Sequence, residues 1–143
     1  MLRQLFFGGV LSLANIAIHA LAMASVVAAG RAASARRVSH PALRLVVIMI
    51  ATVSVLMAFH LAEIGVWSLG YGLLGVTPPE ADRFYFAFVN YTTLGYGDVV
   101  PKEHWQLLGP MTAMNGVLLF GWSTAVIFEV LRRTSANHHL GAP

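Results

Sequence analysis

The sequence predicts an all-α integral membrane protein, with three transmembrane helices and a short re-entrant helix and irregular loop between the second and third. Three observations carry that prediction. Of 143 residues, 57% are hydrophobic and 10% charged, against roughly 25% charged in soluble domains, so the chain lacks the polar atoms to cover a globule in water. Three apolar runs each reach the roughly 20 residues needed to cross hydrocarbon. Between the last two runs sits TTLGYGD, Thr92 to Asp98. Membrane depth tolerates so irregular a stretch only where it is buried in protein or lines a water-filled path.

The first run, from about Leu5 to Ala29 in an N-terminal segment 1–30, is uncharged, with Asn15 and His19 its most polar members. Its basic start and small residues are similar to a signal peptide, but the run is longer than a usual h-region. Cleavage would also turn the next helix inward and leave the arginine loop outside, against the charge bias, so the helix is expected to be retained. Residues 31–44 read as a basic loop. The second helix, 45–74, contains His60 and Glu63. Pro78 and Pro79 then open a shorter helix over 80–92, with Glu80 and Asp82 in its first turn and the aromatic run RFYFAFVNY behind them. It is too short to span, so it enters and leaves by one side. The irregular loop 93–98, a third spanning helix 107–131 and a short tail 134–143 complete the chain.

Charge sets the orientation. Arg31, Arg36, Arg37 and Arg44 flank one side of the spans, as do Arg132 and Arg133. Both groups are expected in the cytoplasm, which puts the N-terminus outside and the C-terminus inside a multi-pass protein of the cell (inner or plasma) membrane. The region with Glu80, Asp82, Asp98 and Glu103 against Arg83 and Lys102 then faces outward. The formal charge of +3 and pI near 9.8 are accounted for by this placement, and no nucleic acid partner is expected. With no cysteine, disulfides, iron–sulfur clusters and thiolate metal sites are excluded.

The short helix ends at the irregular loop, and a helix C-terminus carries about half a negative elementary charge, which favours a cation. Thr93, Leu94, Gly95 and Tyr96 can present successive carbonyl oxygens to one axis, with the Thr93 hydroxyl adding another. Inward-facing carbonyls require alternating left-handed dihedrals, which glycine adopts cheaply, and Gly95 and Gly97 fall at alternate positions. Such oxygen cages replace the hydration shell of a monovalent ion.

With its aromatic helix and two flanking spans, TTLGYGD resembles the pore module of potassium channels, over residues 45–133. The nearest likeness is to small bacterial two-helix channels, here with one extra N-terminal helix. The resemblance implies stacked K+ sites at Thr93, Leu94, Gly95 and Tyr96. Thr92 would end the pore helix, Gly97 would make the outer turn, and Asp98 would brace the filter from behind. It also implies that Trp105 begins the inner helix and that Gly116 lies near a bend. Leu94 stands where valine is commonest. Val89 stands where some relatives keep a glutamate partner for the aspartate, so Asp98 needs another donor, Tyr85 or a water.

One loop supplies a quarter of an oxygen cage, so a cyclic homotetramer in the lipid bilayer is expected. The expected function is passive, selective potassium conduction with no cofactor and no enzyme activity. The rival readings are a weakly selective cation channel and a non-conducting accessory or sensor subunit. No helix carries regularly spaced arginines, so no voltage sensor is expected, and no ligand-binding domain is expected after the tail.

His60 and Glu63, at i and i+3, share a helix face. Counting from Arg44 puts Glu63 about 28 Å up a core about 30 Å thick, near its outer edge. The pair is a candidate structural brace or pH-sensitive gating element, and two ligands per chain are few for a divalent metal. Asn115 is a candidate for lining a central cavity, and Ser123 and Thr124 are weaker ones. Glu129 with Arg132 and Arg133 reads as a surface pair. Trp67, Tyr71 and Trp105 read as an outer aromatic belt.

Overall fold

The computed structural model describes residues 1–34 and 40–139. Helices α1 (Leu2–Ser34), α2 (Pro41–Leu74), α3 (Arg83–Tyr91) and α4 (Leu108–His139) follow in order, with one 3-10 turn, Glu103–Trp105, before α4. Three of them are long and apolar enough to cross a membrane. α1 lies against α2 and α4, and α3 is wedged between α2 and α4.

The spans outrun their apolar runs at the ends. Ala28, Ala29, Ala32 and Ala33 are strong helix formers and carry α1 on to Ser34. α2 begins at Pro41, which suits a first helical position. Arg31 and Arg44 are therefore helical instead of lying in a loop, while the expected positions of Arg36 and Arg37 fall outside the described residues. The expected tail is helical as far as His139. Glu129 accepts from Arg132 Nε at 2.9 Å and from Arg133 Nε, the surface pairing expected from the spacing.

The short helix starts at Arg83, later than expected. Asp82 is its N-cap, accepting from the backbone amides of Phe84 at 2.9 Å and Tyr85 at 3.1 Å. A carboxylate there satisfies amides that have no partner inside the helix, and so Glu80 stays outside it. α2 stops at Gly75, whose φ of 62° supplies the left-handed cap, and the Val76 amide closes back on the Tyr71 carbonyl at 3.0 Å.

Two apolar clusters fill the bundle. One gathers Ile64, Trp67, Tyr71, Phe86, Trp105 and Leu119 with Phe7 and Leu11 of α1. The other gathers Ala22, Met23 and Val26 of α1 with Leu56 and Val130. Along each long helix, His19, His60, Glu63 and Ser123 fall between the two.

Trp67, Tyr71 and Trp105 are buried in the first cluster and do not form a lipid-facing belt. The reason is α1, which packs against this cluster, together with internal partners for the polar tips of Trp67 and Tyr71. Trp67 Nε1 donates to Asn115 Oδ1 at 3.1 Å, and Tyr71 Oη lies 2.5 Å from Thr112 Oγ1. Trp105, in the turn before α4, meets the Phe7 ring edge and the Arg3 guanidinium, 4.6 Å from its centroid.

Gly116 serves as a close-approach position inside a continuous α4. A Cβ there would strike the Tyr91 carbonyl at the end of α3. Gly to Ala inside a helix ordinarily stabilises by about 1 kcal/mol. Gly116→Ala should instead lower stability by about 1–3 kcal/mol, the usual range for overpacking, measured by denaturant unfolding in detergent. Unchanged or raised stability would show that α3 and α4 do not pack this closely.

Candidate functional site

The loop after α3 grows out of the helix end. Thr92 caps α3, its amide donating to the Phe88 carbonyl at 3.0 Å, and the Leu94 amide still reaches the Val89 carbonyl at 2.9 Å. Beyond that the backbone alternates, with left-handed φ of 63° at Thr93, 56° at Gly95 and 78° at Gly97. The two glycines take the conformation expected of them. Thr93 does not follow from sequence, because a β-branched residue in the left-handed region is strained and persists only where its surroundings fix it. Leu94 and Tyr96 are 55% and 66% exposed on the single chain.

Asp98 closes the loop onto α3. Tyr85 Oη donates to Asp98 Oδ2 at 2.7 Å, and the Val99 amide donates to Asp98 Oδ1 at 3.1 Å. The phenol fills the donor role that Val89 cannot. Its hydrogen bond to the Asp98 carboxylate holds the Tyr85 hydroxyl above its ordinary pKa, so it remains a proton donor through the neutral range.

Behind the loop lies a second polar centre. Glu63 is fully buried, and its carboxylate receives three groups from three helices. His19 Nδ1 of α1 lies 2.7 Å from Oε1. His60 Nδ1 of α2 lies 3.0 Å from Oε2. Tyr91 Oη of α3 donates to Oε2 at 2.5 Å. The ring closes on α4, where Ser123 Oγ lies 3.0 Å from His60 Nε2 and 3.3 Å from His19 Nε2. The expected His60–Glu63 pair is thus part of a larger cluster spanning four helices. Its depth also differs from the reckoning, because Glu63 sits beside the C-terminal end of α3 and α2 runs about 16 Å further, to Leu74.

Asn115, expected as a cavity-lining candidate, is 1% exposed. Its Oδ1 accepts from Asn15 Nδ2 at 3.1 Å and from Trp67 Nε1, so the side chain faces α1 and α2. Thr124 is exposed and bonds back to the Phe120 carbonyl. Sequence reasoning missed Tyr91 and the joining of His19 to Glu63. The signal was the i, i+4 spacing of Asn15 and His19, which puts both on one face of α1 opposite an intramembrane carboxylate needing a partner.

Compared with known proteins, residues 56–133 match the family described as Ion channel. The match covers more than half the chain, from Leu56 in α2 to Arg133 in α4, and leaves α1 outside. No curated protein and no solved structure matches.

Removing the Tyr85 hydroxyl should free Asp98 without disturbing the helices. Tyr85→Phe is expected to speed hydrogen exchange of the amides from 94 to 99 at least several-fold, with helical content unchanged. Equal exchange in both proteins would mean that the phenol does not brace the loop.

Proposed function

The chain belongs to the ion-channel family, and from that premise we propose that it is a potassium-selective channel, a cyclic homotetramer that conducts K+ passively and does no covalent chemistry. One observation carries the reading: left-handed backbone at Thr93, Gly95 and Gly97, every second residue of TTLGYGD, directly after the C-terminus of α3. With carbonyls turned to one side, Thr93, Leu94, Gly95 and Tyr96 supply stacked oxygens, and the Thr93 hydroxyl adds one at the helix end. Four such strands around an axis replace the hydration shell of K+. The partial negative charge at the end of α3 favours a cation at the same place.

Thr92 joins the strand to the helix, Gly97 makes the outer turn, and Asp98, held by Tyr85, braces the strand from behind. Leu94 contributes its carbonyl, which is the same group that any residue offers. The homotetramer is supported by the single strand per chain and by exposed apolar side chains beside it, including Leu94, Tyr96 and Val100, with Met114, Val117 and Leu118 on α4. A closed ring of four identical copies completes the cage. His60 and Glu63 act as the brace that holds the end of α3. The arginines at the ends of the spans support an orientation with the N-terminus outside and the C-terminus in the cytoplasm.

Purified protein in liposomes should pass K+ and strongly exclude Na+. Gly95→Ala should abolish that flux while tetramer assembly persists. At φ 56° an L-residue costs about 1–2 kcal/mol, and the penalty falls on one filter four times. Wild-type flux from the folded variant, or equal Na+ and K+ permeability of the parent, would refute the filter assignment.

Orientation has its own test. A lone cysteine replacing Glu80 should react with a membrane-impermeant thiol reagent in intact cells, and one replacing Ser34 should not. The reverse pattern would invert the chain in the membrane.

A further inference from the structure

We propose that His19, His60 and Glu63 form a binding site for a divalent first-row transition metal of the Zn2+ type, with the Tyr91 hydroxyl completing four ligands. The proposal does not depend on potassium conduction, since none of these side chains belongs to the loop.

The donor geometry is the first support. One ligand atom from each of the three residues lies within 4.8 Å of the others, and all three residues are buried. Tetrahedral Zn2+ with bonds of about 2.0–2.1 Å separates its ligands by about 3.3 Å. His19 Nδ1 and Glu63 Oε1 are 2.7 Å apart, while His60 Nδ1 is 3.0 Å from both Glu63 Oε2 and Tyr91 Oη. To admit the ion the closest pair, Tyr91 Oη and Glu63 Oε2 at 2.5 Å, must part by about 0.8 Å, and the three residues' ligand atoms must settle within the 4.8 Å they already span. Two imidazoles and a carboxylate suit Zn2+ and its neighbours better than Mg2+ or Ca2+, which take oxygen, or Cu+, which takes sulfur.

The second support comes from counting protons on the far side of the rings. Both Nε2 atoms converge on Ser123 Oγ, at 3.0 and 3.3 Å. A hydroxyl has two lone pairs and one proton. When both histidines bind a metal through Nδ1, both carry their proton on Nε2, and Ser123 accepts the two N–H groups with its two lone pairs. Metal-ligating histidines are held by an oxygen acceptor on their other nitrogen in this way.

Without a metal, two neutral histidines donating from Nδ1 to Glu63 present two bare Nε2 atoms to one hydroxyl proton. The one hydroxyl proton then serves only one of the two nitrogens. The groups facing the two rings are Glu63 from α2, Tyr91 from α3 and Ser123 from α4. An ion held by His19, His60 and Glu63 ties α1 to the family domain.

The test uses the full chain with His40, His104, His138 and His139 all replaced by glutamine, purified in detergent and stripped with chelator. Calorimetric titration with ZnCl2 should saturate near one ion per chain, and His19→Gln and His60→Gln should each weaken binding at least tenfold. Any other titration, including binding indifferent to both substitutions, overturns the proposal. Should either variant fail to fold, Co2+ loaded into the parent decides. Intense visible bands of a four-coordinate ion support the site, and the weak bands of a six-coordinate ion overturn it.

Discussion

The contact between the Glu63 carboxylate and its three partners is the constraint on which the rest of the bundle depends. A carboxylate taken out of water costs several kcal/mol unless it is paired and hydrogen-bonded. Here every partner comes from a different helix: His19 from α1, His60 from α2 itself and Tyr91 from α3, with Ser123 of α4 closing the ring. Helices in lipid gain nothing from burying one apolar surface against another, so polar contacts and close packing have to choose the register. A slide of α1 by one residue would turn His19 away and strand the charge. The second contact along the same seam, Asn15 Nδ2 to Asn115 Oδ1 at 3.1 Å, fixes the same register independently.

The consequence reaches the loop through α3. Tyr91 is the last residue of that helix, anchored to Glu63 by its hydroxyl and pressed against Gly116 of α4 by its carbonyl. Asp82 fixes the other end. A helix held at both ends gives the strand a rigid base, and Tyr85 ties the far end of the strand to that same helix through Asp98. Strained backbone persists where its surroundings over-determine it, which accounts for left-handed Thr93 at the junction. The precision needed to strip water from a cation would rest on this scaffold and not on the strand alone.

How much of this could be read from sequence follows from the range of the forces involved. Three spans, the Glu129 pairing and the glycine positions depend on neighbours a few residues apart, and they were legible. Helix ends were not, because alanine and arginine continue a helix past the apolar run that marks the span. Trp67, Tyr71 and Trp105 misled because aromatic side chains with a polar tip suit a lipid interface and a protein core equally well. What decides between them is whether another helix packs against their cluster, and α1 does. The depth of Glu63 was misjudged for a related reason. Its partners lie 44 and 28 positions away in the chain, and no local pattern announces such contacts.

The claim that Glu63 binds α1 to the remaining helices is most directly tested by a double-mutant cycle. Unfolding free energies would be measured in chelator-treated detergent for the parent, His19→Gln, Glu63→Gln and the double variant. The account predicts that the two losses fail to add, with a coupling of about 1–2 kcal/mol between the sites. Losses that add to within about 0.5 kcal/mol would mean that α1 and Glu63 are energetically independent, and would contradict it.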